Sequence, residues 1–122
     1  MKVSDIEIAY CAGVLEGEAC FDIRESPARV RDPNNMHARI IVEMKDRDVL
    51  ERLQRCFGGT LVDVKCPSKI KVQWSPYYKW LLSERESVFN CLIRINQFMS
   101  QRRKERINEM MTFLERKIVH EL

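Results

Sequence analysis

The sequence predicts an α+β fold, an antiparallel sheet with its helices packed on one face, and three observations carry that expectation. Two stretches with strand-like alternation each contain a turn signal and so read as hairpins. Each hairpin is preceded by a stretch with helical periodicity. The C-terminal third is amphipathic and holds no turn cluster. One unit of helix plus hairpin therefore occurs twice before the closing helices, and such hairpins join most simply as one antiparallel sheet.

Ser4 followed by Glu7 is a capping-box pattern, in which the hydroxyl takes one free amide of the helix start and the carboxylate returns to another. The spacing predicts a helix over about Asp5–Glu16. Ile8, Cys11 and Leu15 form its apolar stripe, while Ala9, Gly13 and Gly17 recur at four-residue spacing on a face without bulk. Cys20–Arg29 and His37–Met44 read as strands joined through Asp32-Pro33-Asn34-Asn35. Alternation places Phe21, Ile23, Ile40, Val42 and Met44 on one side, and Asp22, Arg24, Arg39 and Ile41 on the other. Asp46 can cap a second helix carrying Val49, Leu50, Leu53, Cys56 and Phe57, which Gly58-Gly59 stops.

Thr60–Cys66 and Lys69–Trp74 form the next extended pair, and after Pro76 the extended run resumes over Tyr77–Leu82. Ser83 with Glu86 repeats the capping box and opens a helix bearing Val88, Phe89, Leu92, Ile93 and Ile95. Beyond Ser100 a last helix carries Ile107, Met110, Met111, Phe113, Leu114 and Ile118. The other face of the sheet, rich in Arg and Lys, is expected to stay open. Trp74, Tyr77, Tyr78 and Trp80 read as core packing rather than stacking platforms for single strands.

At 122 residues the chain suits one domain over 1–122, with enough length for a single core. No apolar run approaches the ~20 residues of a membrane helix, and the N-terminus MKVSDIEIAY lacks the apolar block of a secretory signal. The expectation is an intracellular protein that is not secreted and not in a membrane. Five cysteines, scattered and never in C-x-x-C spacing, indicate neither a disulfide framework nor a zinc site. The net charge of +3 is mild, but from Lys65 to Lys104 nine basic residues face only Glu84 and Glu86, an excess suited to a polyanion. His37 and His120 stand alone, with no metal or catalytic role.

The stretch IAYCAGVLEGEACF places two carboxylates beside two glycines at the end of an apolar helix. It resembles the signature of the LAGLIDADG homing endonucleases, with Cys11–Ala19 on the nine motif positions. VEMKDRDVLERLQRCFGG resembles that family's second strand and middle helix, and YYKWLLSERESVFNCLIRINQFMSQRRKE its fourth strand and C-terminal helices. The resemblance implies the αββαββα fold with a saddle-shaped sheet. A single motif copy implies a homodimer, with Ala9, Ala12, Gly13, Glu16 and Gly17 at its interface, since residues with little or no side chain let helices approach closely.

The resemblance further implies that Glu18 is the metal-binding and catalytic carboxylate, for Mg²⁺ or another divalent cation such as Mn²⁺. By the same resemblance, Glu16 serves the helix end rather than the metal. Arg102 matches the basic residue near the scissile phosphate, with Arg103 or Lys104 as alternatives, and as an always-protonated group it cannot act as a base. The implied partner is double-stranded DNA at a long pseudo-palindromic site, read in the major groove by Arg24, Arg29, Arg31, Arg39, Lys65, Lys69, Lys71 and Gln73, with Ile41 against a thymine methyl. The implied activity is site-specific double-strand cleavage in intron homing, in a bacterial or phage cytoplasm or an organelle matrix. Glu16, Ala19 and Cys11 replace the commoner Asp, Gly and Leu, and Met44 stands where relatives often carry Gln, a role left to Lys45 or Arg47. The alternative is a catalytically inactive DNA-binding protein, or an RNA-binding intron-splicing maturase, on the same scaffold.

Overall fold

A computed structural model describes residues 3–25, 36–64 and 76–121. Helix α1 spans Asp5–Glu18, with the Ser4 hydroxyl oxygen accepting the Glu7 N–H at 3.2 Å. Only this half of the expected box forms. The Glu7 carboxylate turns instead to Arg52, whose Nε and Nη2 donate to it at 2.8 Å each, because a guanidinium fork satisfies both its oxygens at once. The helix also runs two residues past the expected end, and the Ala19 N–H closes its last turn on the Leu15 carbonyl at 3.1 Å. Glu18 is thus the last helical residue and not a residue beyond the end.

Strands β1 (Cys20–Glu25) and β2 (Met36–Met44) pair antiparallel, with Phe21 opposite Ile40 and Asp22 opposite Arg39. Helix α2 (Arg47–Phe57) begins after Asp46, which holds the cap position without a side-chain capping bond. Its first residue, Arg47, pairs with Asp63 and lies over the Tyr78 ring, 5.3 Å from its centroid. The helix ends at Gly58 and Gly59, whose φ values of +84° and +92° belong to the region glycine favours. The indole N–H of Trp80 donates to the Gly58 carbonyl at 2.9 Å, so the turn is tied to the strand beneath it.

Strands β3 (Thr60–Val64) and β4 (Tyr77–Leu82) complete a sheet of order β1-β2-β4-β3, antiparallel throughout, with β2 and β4 joining the two hairpins. Helix α3 (Arg85–Ile95) starts one residue later than the expected box: Glu84, not Ser83, is at its cap and makes no capping bond. Its carboxylate accepts from the Ser87 hydroxyl at 3.0 Å instead. A 3₁₀ turn, Asn96–Phe98, leads to α4 (Gln101–Glu121).

The expected alternation decides which face is covered. Phe21, Ile40, Val42, Trp80 and Leu82 are buried on the helix side, against Leu15 of α1, Leu50 and Leu53 of α2, Leu92 and Ile95 of α3, and Ile107 and Met110 of α4. Each such side chain contributes about 1.5–3 kcal/mol by leaving water. Ile93 departs from the expected core: it is 51% exposed, since at 3.6 residues per turn it lies across the helix from Val88, Leu92 and Ile95. Cys11, Cys56 and Cys91 are buried free thiols and Cys20 an exposed one.

The expected ends of the first and third strands, the extended run Lys69–Trp74 and the turn at 32–35 lie outside the described residues, and so does the side chain of Ile118. Among the described residues, no helix is long and apolar enough to cross a membrane.

Candidate functional site

The two sides of α1 meet different surroundings. Cys11, Ala12 and Leu15 are fully buried in the core. Ala12 therefore has no surface to give a second copy, which corrects its place among the interface candidates. The outer side borders an open groove of about 550 Å³, in which Ala9, Gly13, Gly17 and Glu18 face Met44, Asp46 and Val49. A Cβ built on Gly13 or Gly17 would meet nothing within 4 Å. Packing among the described residues accordingly makes no use of those two small residues.

Acidic groups at a helix C-terminus lie at the negative end of its dipole and are unfavourable there unless compensated. No basic residue occupies the last turn of α1. Glu16 is compensated from elsewhere: its carboxylate accepts the Ser100 N–H and pairs with Arg103 at 3.3 Å, while Arg103 also donates to the Glu16 carbonyl at 3.2 Å. The Ser100 bond, aided by the charges of Arg103 and Arg102, holds the Glu16 carboxyl below its usual range. Glu16 thus directs its carboxylate to the start of α4. Glu18, one residue beyond Gly17, is exposed in the groove, and among the described residues no hydrogen bond or ion pair engages it.

The contact between Glu16 and Ser100 brings the other expected residue to the same end of the molecule, because Arg102 stands two residues after Ser100 and Glu18 two after Glu16. Arg102 is exposed. Arg103, the alternative to it, is tied to Glu16 and lies 5.2 Å from the centroid of the Phe21 ring. Met44 is the last residue of β2 and lines the same groove as Glu18. Of its two suggested substitutes, Lys45 is exposed, whereas Arg47 is committed to Asp63, Glu51 and Tyr78. Asp46 is a groove residue that its cap-like position in the sequence conceals. An aspartate two residues past a strand end, beside a position expected to be polar, was the available signal.

Glu18 suits a hard divalent cation, which takes carboxylate oxygen from the protein and completes its shell with water and phosphate oxygens. Another cluster of ligand atoms, Glu7, Cys11 and Cys56, lies within 4.8 Å. It fits a metal poorly. Arg52 holds both Glu7 oxygens while its guanidinium stacks 3.4 Å from the Tyr10 centroid. Burial pushes both thiols up, opposing the deprotonation that ligation requires. The two sulfurs, 3.4 Å apart, join α1 to α2 as packing groups.

The open face of the sheet is less basic than expected among its described residues. Arg24 is exposed, but Arg39 is bound to Asp22 at 3.2 Å, and Glu43 stands opposite Lys79. The candidates Arg29, Arg31, Lys65, Lys69, Lys71 and Gln73 lie outside the described residues.

No protein-family model matches the sequence, and no curated protein matches it. Solved structures do. The homing endonuclease I-CvuI, in complex with the I-CreI target in the presence of Mg with the DNA not cleaved, superposes with a TM-score of 0.70 at 11% identity, over 90% of this chain and 66% of that one. The group I intron-encoded homing endonuclease I-CeuI, complexed with DNA, superposes with a TM-score of 0.68 at 19% identity, over 94% of this chain and 56% of that one. The LAGLIDADG homing endonuclease I-SmaMI, bound to cleaved DNA, gives 0.56 at 17% identity, over 93% of this chain and 36% of that one. The chain thus spans from about a third to two thirds of the length of these proteins. With superposition over 90% or more of its length, this chain of helices and a four-stranded antiparallel sheet has the fold of the LAGLIDADG homing endonucleases.

Proposed function

We propose that two copies of this chain form a site-specific, divalent-metal-dependent double-strand DNA endonuclease, the activity of intron homing. The observation that carries the reading is Glu18: an uncompensated carboxylate at the end of a helix whose outer glycines face open space. Packing two α1 helices across a two-fold axis through Ala9, Gly13 and Gly17 would bring two Glu18 carboxylates together at the floor of the sheet saddle. Each carboxylate would hold one Mg²⁺ or Mn²⁺, and when bound the ion activates water and neutralises charge on the phosphate. Arg102 would meet a phosphate oxygen as a fixed cation, and Glu16 with Arg103 would keep α4 docked so that Arg102 stays at that end. Two-fold symmetry predicts half-sites about one turn, ~10 base pairs, apart between centres.

A second reading, a non-cleaving DNA-binding protein or an RNA-binding splicing maturase on this scaffold, is favoured by one observation: Met44 brings a thioether to the groove of Glu18. The two readings part in one experiment. DNA flanking the gene's own locus, with the intron removed, is incubated with wild type and Glu18→Gln in Mg²⁺ or EDTA. The expected result is a double-strand cut that needs Mg²⁺ and is lost in Glu18→Gln while salt-dependent binding persists. Binding without a cut by wild type would establish the second reading, and cleavage by Glu18→Gln would remove Glu18 from the site.

A further inference from the structure

The strand register puts four residues in one line across the open face. Cys20 of β1 lies opposite Ile41 of β2, Ile41 opposite Leu81 of β4, and Leu81 opposite Thr60 of β3. Val62, 42% exposed, continues the apolar surface on β3. Charged neighbours bound this row on both sides: Asp22 with Arg39 along one, Glu43 with Lys79 along the other. Cys20 and Thr60 are exposed, and Ile41 and Leu81 are half-buried. This is the face left uncovered by the helices, and two of the solved structures that share the fold are complexes with DNA.

We infer that the row Cys20–Ile41–Leu81–Thr60 selects thymine by its C5 methyl group in the major groove of duplex DNA. The inference rests on the proposed DNA binding and adds to it the chemistry of the central contact. Base edges in the major groove present hydrogen-bond donors and acceptors, and the thymine methyl is the apolar exception. Ile41 and Leu81 have no donor for the N7 and O6 of guanine and no acceptor for the amino group of cytosine. Those bases would lose water there without a replacement bond, which is unfavourable. Successive residues on one strand face are ~6.8 Å apart, about two base-pair steps at ~3.4 Å each. The methyl contact therefore falls on one or two base pairs in each half-site, with polar readers about two base pairs to either side: Arg39 toward one end, with Arg24 one step further, and Glu43 and Lys79 toward the other.

The test uses the full chain and a randomised, unmethylated duplex pool, which leaves thymine as the source of any C5 methyl. Retained duplexes are resynthesised with deoxyuridine in place of each thymidine in turn, a change that deletes the methyl and nothing else, and their affinities are compared. Loss of about four-fold per methyl is expected at one or two positions per half-site. In Ile41→Ser, and separately in Leu81→Ser, the same exchange should cost markedly less, because the methyl has lost its apolar contact. Retained duplexes whose affinity is indifferent to deoxyuridine throughout would overturn the inference and leave the proposed DNA binding standing. So would a deoxyuridine effect that both variants preserve in full. Failure to retain any duplex at low salt would overturn both.

Discussion

The four glycines of the chain fall in two pairs with opposite surroundings. Gly58 and Gly59, between α2 and β3, have positive φ, and a Cβ on Gly59 would sit 2.7 Å from the Leu81 carbonyl oxygen and 2.9 Å from the Trp80 indole nitrogen. Gly13 and Gly17 are helical, and a Cβ on either would touch nothing. The turn pair is required by the chain's own fold. The α1 pair is not, and in the middle of a helix glycine costs about 0.5–1 kcal/mol relative to alanine. A destabilising choice that relieves no contact among the described residues is what a close approach from outside would require.

The contrast can be broken most visibly at Gly59. Gly59→Ala adds a clash to a strained φ, and is expected to destabilise the chain by about 2–4 kcal/mol in denaturant unfolding. The substitution Gly13→Ala should instead raise the stability of the isolated chain by up to about 1 kcal/mol while weakening self-association in sedimentation equilibrium. Unchanged association would remove Gly13 from any subunit contact.

The smallest effect concerns the side of α1 that faces α2. The Arg52 hydrogen bonds hold the Glu7 carboxyl below its ordinary value. A carboxyl depressed on folding contributes stability that is present above its unfolded value, about 4.3, and is lost as pH falls through the lower native one. Arg52→Gln should therefore lower the neutral plateau of a urea-midpoint profile slightly and flatten its acid limb below about pH 4.5, so that the variant and the wild type converge at low pH. Glu16, held low by Ser100 and Arg103, titrates in the same direction and keeps part of that limb in the variant.

Much of the candidate site was legible because its signals are local. Ser4 caps α1 with a bond to a residue three positions on, and Gly58-Gly59 ends α2 through backbone conformations that other residues resist. Alternation in β2 placed Ile40 and Val42 inward and Arg39 and Ile41 outward from the strand period alone. The motif resemblance placed Glu18 beside the small-residue ridge, and the two do share one groove. What local rules misjudged were competitions between partners. Glu7 had a backbone amide within reach but took Arg52, 45 residues away, where two charge-assisted bonds outweigh one neutral-donor bond. Asp46 and Glu84 occupy cap positions without capping, and Ser83 proved to be no cap at all.

The sequence by itself determined the order and type of the described elements, the faces that β1 and β2 would bury and the identity of the two acids at the end of α1, because periodicity, caps and turn glycines act within a few residues. Tertiary structure decided everything that depends on distant chain. It carried α1 through Gly17 to Glu18, where residues of α4 answer Glu16 at the helix end. It sealed Ala12 in the core while leaving Gly13 beside it in the open. It aligned Cys20, Ile41, Leu81 and Thr60 into one row, a neighbourhood set by strand register, which no single strand encodes.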